Sequence, residues 1–263
     1  MNRNALALAV VLAALHSSCA ATPSALPTPT ASPTTPPTST VAFPTLVPSP
    51  TWTAAASATP TPDPGVVLGS LLLHDAFDDP SAWRLVTTST GGAAIADGRL
   101  TLAVHAPRGY HSARRPEPEA GDFFAEVDVV TVVCNPGDEF GLTARGDGLG
   151  QEYRFLLGCD GTVRMSRVLE EGSRGLTLRV ETTALRPGAP AHNHLAVWAR
   201  GLDLKMYLNG VEVLTARDAA LDRGGFGLLI RAGSAGQLTV SFDNLIVHAL
   251  APARPTATTT AMP

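Results

Sequence analysis

Charge is the first thing in short supply. Only 16% of the 263 residues are charged, against roughly 25% in an average globular protein, and the balance is acidic, with a net charge of −4. That argues against a nucleic-acid binder, which usually shows a basic face, so no nucleic-acid partner is expected. Three cysteines cannot build a disulfide-dense mini-protein. Aromatics make up 5% of the chain, too few for a broad stacking platform. No apolar run reaches the roughly 20 residues of a membrane-spanning helix. Nor does any stretch hold amphipathic spacing through three clean helical turns, which leaves little room for helix.

Proline, threonine and serine are in excess, and the excess is local. The 45 residues from Ala20 to Pro64 hold 12 Pro, 12 Thr, 5 Ser and a single charge, Asp63. Each Pro removes a backbone donor and restricts the residue before it. The segment also has few apolar side chains to offset the entropy cost of ordering. Residues 19–64 are therefore expected to be a disordered linker. Fully extended at roughly 3.1 Å per residue, it would reach on the order of 100 Å. Residues 251–263 return to the same composition and read as a disordered tail.

Ahead of the linker, Arg3 is followed by an apolar stretch from Ala5 to Leu15 and then His16-Ser-Ser-Cys19-Ala-Ala. A basic start, an apolar stretch and small residues at the cut describe a secretory signal over residues 1–18. The placement of Cys19 resembles a bacterial lipoprotein signal. The resemblance implies lipidation of Cys19, an extracytoplasmic location, and membrane contact only through that anchor. His16 departs from the family, which has an aliphatic residue there. Ordinary cleavage and simple secretion are the alternative.

Residues 65–250 carry the folded part. Arg99 to His105 alternates with period two behind Asp97-Gly98, and Phe123 to Val133 does the same. Phe140–Arg145, Tyr153–Gly158 and Thr162–Leu169 read as further strands. So do Leu195–Ala199, Leu202–Leu208, Val211–Thr215, Phe226–Arg231 and Leu238–Val247. Asn209-Gly210 is the strongest hairpin signal. Eleven or twelve short strands with close-set turns predict an all-β, two-sheet antiparallel jelly-roll sandwich.

The stretch Asn193-His-Leu-Ala-Val-Trp-Ala-Arg200, with Leu202-Asp-Leu-Lys-Met-Tyr-Leu-Asn-Gly210, resembles the central signature of laminin-G-like and concanavalin A-like jelly rolls. Leu72–Trp83, Gly225-Phe-Gly-Leu228 and Val240–Val247 agree at the flanks. Together these resemble domains of bacterial surface lipoproteins, including those related to the 3-keto-disaccharide hydrolase module. This architecture hosts lectins, adhesion domains and glycosidases, so it implies a fold more than a function. The leading expectation is a non-catalytic module that binds a glycan or a cell-envelope partner. A glycan-hydrolysing enzyme and an adhesion module without a small ligand are the alternatives.

Laminarinase-like glycosidases on this fold carry Glu-x-Asp-x-x-Glu on one strand, with the polar members on one face. Glu126 and Asp128 match, but Thr131 stands where the acid/base belongs. A hydroxyl cannot protonate a leaving oxygen, so these two are weak catalytic candidates. His192-Asn-His194 has no identifiable third metal ligand, and Ser166 and Ser173 lack a nucleophile context. Arg145 and Tyr153 are candidates for a polar sugar site on one sheet. Calcium is the one candidate cofactor. The family's sandwiches often hold an ion near the termini, and Asp75, Asp78 and Asp79 on the first strand could converge with Asp243 on the last.

With Cys19 lipidated, Cys134 and Cys159 remain as a pair, each ending a strand. If the strands from Phe123, Phe140 and Tyr153 formed a meander, the two cysteines would stand two strand spacings apart. That is roughly 9.5 Å, beyond the reach of a disulfide unless the chain bends in at Pro136. A disulfide is expected; two buried free thiols are the alternative.

Overall fold

The computed structural model describes residues 67–252. The expected signal peptide with Cys19, the linker and the tail beyond Pro252 lie outside them. Sixteen strands form two antiparallel sheets packed face to face. The nine-stranded sheet runs β14 (Val211–Arg217), β13 (Asp203–Leu208), β12 (Ala191–Arg200), β6 (Phe123–Val133), β16 (Leu238–Leu250), β4 (Arg99–Val104), β3 (Gly91–Ala96) and β2 (Thr87–Thr88). β1 (Leu68–Asp75) also pairs with β16. The seven-stranded sheet runs β10 (Gly172–Gly175), β9 (Thr162–Leu169), β8 (Glu152–Gly158), β7 (Glu139–Gly146), β15 (Gly224–Arg231) and β5 (Tyr110–Ala120), with β11 (Val180–Glu181) beside β9.

Alternation decides what each strand buries. On β6, Phe123, Ala125, Val127 and Val129 point into the core, and on β12 Leu195, Val197 and Ala199 do. They meet Phe140 and Leu142 of β7, Phe155 and Leu157 of β8, and Leu228 and Ile230 of β15. Two hairpins follow directly from turn chemistry. Asp97 and Gly98 have φ of 51° and 69°, and Asn209 and Gly210 have 49° and 84°. Positive φ at both central residues gives the turn whose twist matches its strands.

The disulfide forms, Cys134 to Cys159, with the Cα atoms 5.6 Å apart. The expected meander does not. β6 pairs with β12 and β16, whereas β7 pairs with β8 and β15. The cysteines therefore leave the ends of strands in opposite sheets, and the bridge staples the two layers together. That geometry needs no span of two strand spacings.

The acids of the expected calcium site do not converge, although β1 and β16 are neighbours as that reading required. Asp75 faces inward. Its carboxylate accepts hydrogen bonds from Phe77 N, Trp83 Nε1 and Arg115 Nη1, each at 2.8 Å. Asp79 caps a single helical turn, Pro80–Ala82, by accepting from Ser81 N at 2.9 Å. Asp78 is exposed. Asp243 lies on the outer face beside Arg99, 3.7 Å away. Among the described residues no group of three or more His, Cys, Asp or Glu is arranged to hold a metal ion.

Candidate functional site

The two outer faces of the sandwich differ in how they use charge. On the nine-stranded sheet, Glu126 and Asp128 do share the outer face of β6. His194 of β12 lies opposite Asp128 and stands between the two carboxylates. Its Nδ1 is 2.8 Å from Asp128 and its Nε2 is 3.4 Å from Glu126. Burial disfavours the charged ring, but the hydrogen bonds and charges of Asp128 and Glu126 outweigh it and push His194 up to about 9. The imidazolium thus closes off the pair that resembled a glycosidase motif. Thr131 is on the other face altogether. It is buried, donates to Gly188 O at 2.6 Å and accepts from Ala191 N at 3.1 Å. Five residues from Glu126, strict alternation puts it inside.

Arg145 and Tyr153 are likewise not a sugar surface: both are 1% exposed. Arg145 ends the inner run of β7 with φ of 51°, and its guanidinium donates to the carbonyls of Gly121, Gly201 and Leu221. Tyr153 points inward, donates to Asp218 at 2.7 Å, and accepts from Leu221 N at 3.1 Å. Burial, chiefly, pushes its phenol up to about 12. The two residues tie loops together at one end of the sandwich.

The outer face of the seven-stranded sheet carries a shallow, open depression across β5, β15, β7 and β8. Its polar lining comes from Arg84, Arg114, Arg115, Thr143 and Glu152, and its bare parts from Gly146, Gly148 and Gly225. The floor is glycine because the strands approach too closely for side chains. A Cβ on Gly225 would meet Pro116 O at 2.6 Å and Arg115 O at 2.7 Å, and one on Gly227 would meet Thr143 Oγ1 at 2.7 Å. Glu152 is 2% exposed. Arg154 Nε holds it at 2.8 Å, and Arg114 lies at a looser 3.7 Å. Arg115 is committed to Asp75, and its buried Nε has no acceptor. Farther along the face, Tyr110 keeps 41% of its surface exposed. Its ring lies 5.2 Å from the Arg154 guanidinium.

The other end of this face is a closed charge network. Arg164 makes two hydrogen bonds to Glu139, both at 2.7 Å, and Arg179 contacts the same carboxylate. Burial alone would raise the Glu139 carboxyl, but those two arginines outweigh it and hold it below its ordinary range. Glu139 pairs in register with Gly158, six residues along β8 from Glu152. At the rise of a strand the two carboxylates are roughly 20 Å apart, far outside the 5–10 Å or so that any two-carboxylate glycosidase requires.

Tyr110 stands with Trp83, Tyr153 and Trp198 among the rings the sequence offers for stacking on a sugar, whereas Arg84, Arg114, Glu152 and Arg154 give no motif. The signals present were the Arg114-Arg115 doublet and the Gly225-Phe-Gly227 alternation, which leaves one face of a strand bare.

Comparison with known proteins yields no matching family model and no matching curated protein. Solved structures do match. The carbohydrate-binding module CBM66 from Bacillus subtilis is 19% identical with a TM-score of 0.53, over 64% of this chain and 96% of that one. The catalytic domain of an endo-1,3-beta-glucanase (laminarinase) from Thermotoga petrophila is 12% identical with a TM-score of 0.52, over 71% and 100%. A Bacillus subtilis protein of unknown function with a galectin-like fold is 12% identical with a TM-score of 0.55, over 72% and 100%. At these identities the likeness is one of fold: the chain is a jelly-roll β-sandwich of the architecture that carbohydrate-binding modules and glucanases share.

Proposed function

We propose that this domain is a non-catalytic glycan-binding module whose ligand lies in the arginine-lined depression of the seven-stranded sheet. The observation that carries the reading is the lining itself. Guanidinium forks, one carboxylate and a hydroxyl stand over a floor of bare backbone, and the partly exposed Tyr110 lies farther along the same face. Sugar hydroxyls need donors and acceptors together, and a pyranose face stacks on an exposed aromatic ring. Glycosidic hydrolysis is disfavoured by the carboxylates available. Glu152 is engaged by Arg154, and Glu126 and Asp128 are bridged by His194. The residues ahead of the linker support export, with Cys19 as a lipid anchor to the membrane.

The test is a panel of immobilised glycans probed with wild-type protein and with Tyr110→Ala. Binding that the substitution weakens at least tenfold, with no release of reducing sugar, is the expected result. Turnover of a bound glycan would overturn the non-catalytic reading, and binding indifferent to Tyr110→Ala would move the site elsewhere.

A further inference from the structure

The depression holds more positive charge than it neutralises. Arg84 and Arg114 face each other across an isolated antiparallel bridge, Arg84 N donating to Arg114 O at 2.7 Å and Arg114 N to Arg84 O at 3.4 Å. Like charges directly opposite one another are unfavourable and are ordinarily avoided. The compensation is one-sided: Arg114 has the Glu152 carboxylate at 3.7 Å, and Arg84 has no carboxylate beside it among the described residues. Glu152 lines the same pocket, but its hydrogen bond goes to Arg154, and Arg114 stands beyond hydrogen-bond distance from it. The Arg84 guanidinium is exposed and has no acceptor among the described residues. It lies against Gly148, where a Cβ would come within 3.4 Å of Nη1. A local rule broken without an evident gain is a mark of a functional site.

Resting on the glycan reading above, we infer that the ligand is an anionic saccharide, a sugar chain bearing carboxylate or sulfate groups. The unpartnered guanidinium of Arg84, set beside the loosely held one of Arg114, matches an anionic oxygen pair, because the planar fork of arginine binds such groups in two-point fashion. Thr143 and Glu152 remain for the neutral hydroxyls of the same ring. The pair is held rigidly from behind. Trp83, next to Arg84 in the chain, is buried and donates to Asp75, which also holds Arg115, next to Arg114.

The experiment is calorimetric titration of the full chain with three oligosaccharides of equal length, one uronic, one sulfated and one neutral. Each is run in low and high salt, on wild type and on Arg84→Gln. One or both anionic oligomers should bind at least tenfold more tightly than the neutral one, and the two anionic arms identify which group is read. Added salt should erode the advantage. Arg84→Gln should remove most of it without moving the melting temperature, since this side chain holds nothing in the fold. Equal affinity for neutral and anionic oligomers, unaffected by Arg84→Gln, would overturn the anionic inference and leave the glycan reading standing. No binding of any of the three oligosaccharides, with or without binding of inorganic sulfate titrated as a control, would overturn both.

Discussion

His194 makes the stability of the domain depend on pH in a window where few side chains titrate. The fold favours the protonated ring, raising it from 6.5 to about 9. Its contribution is therefore complete below about pH 6.5, declines as the pH rises through 9, and is gone above that. At roughly 1.4 kcal/mol for each pH unit, the displacement corresponds to about 3 kcal/mol. This is a ceiling, because the cluster keeps some contact with solvent. In a domain of this size that equals a fall of about 6–12 °C in melting temperature between pH 6 and pH 10. Calorimetry at half-unit pH steps on wild type and His194→Gln gives the curve, and the proton resonances of the ring give the midpoint directly. Glutamine cannot take the charge, so the variant should lose the slope between pH 6.5 and 9. Tyr153 is also favoured in its protonated form, but its loss falls between about pH 10 and 12 and does not overlap. Equal slopes in wild type and variant, or a ring midpoint near 6.5, would refute the reasoning.

The bridge between Cys134 and Cys159 spans 25 residues, and on the chain-entropy model its reduction should cost about 3.5 kcal/mol. Thiol labelling of unfolded, unreduced protein checks the bond itself: two reactive thiols from this pair would end the claim. Asp75→Asn removes the charge that Arg115 and Trp83 are built around, and breaking such a buried pair should cost about 3–5 kcal/mol in denaturant unfolding. Excess chelator should leave the melting curve of the wild type where it is, since the Asp75 carboxylate serves Arg115 rather than an ion; a fall would restore the calcium reading. Cys19→Ala should free the protein from the membrane fraction, and wild-type protein in the medium beginning at Ala21 or Thr22 would refute lipid anchoring.

Strands that bury one face and wet the other were legible in the sequence, because period-two alternation is the same signal as the burial it causes. β6 runs from Phe123 to Val133 and β9 from Thr162 to Leu169, both as the alternation places them. The hairpins at Asp97-Gly98 and Asn209-Gly210 were legible for the related reason that positive φ selects those residues. Partners were not. Alternation states which residues face inward but not into which sheet a strand goes, so β6 and β7 read as neighbours when they lie on opposite layers. The same gap hid the disulfide geometry, which depends on sheet assignment and not on spacing along one sheet.

The site was hidden by the strand that carries it. β5 reads Tyr-His-Ser-Ala-Arg-Arg-Pro-Glu-Pro-Glu-Ala, with two prolines and four charges where a strand is expected to show β-branched and aromatic residues. Such a sequence is tolerated because β5 ends the strand order of its sheet, pairing with β15 and beyond that with Arg84 through one isolated bridge at Arg114, and proline is confined to edges for want of a ladder donor. Its inward positions are served by His111 and Ala113, which leaves Tyr110, Ser112 and Arg114 on the outer face. Of the residues that made β5 a poor strand in the sequence, Arg114 is one that reaches the proposed binding face. The candidates the sequence did offer, Glu126, Asp128, Arg145, Tyr153 and Asp75, are polar groups whose hydrogen bonds close within the fold. A polar residue in a readable strand is there because the fold satisfies it. Arg84 stands opposed to Arg114 across a bridge, and where Arg114 has Glu152 at 3.7 Å, Arg84 has no carboxylate partner among the described residues. What remains unsatisfied by the fold is what a ligand has to satisfy.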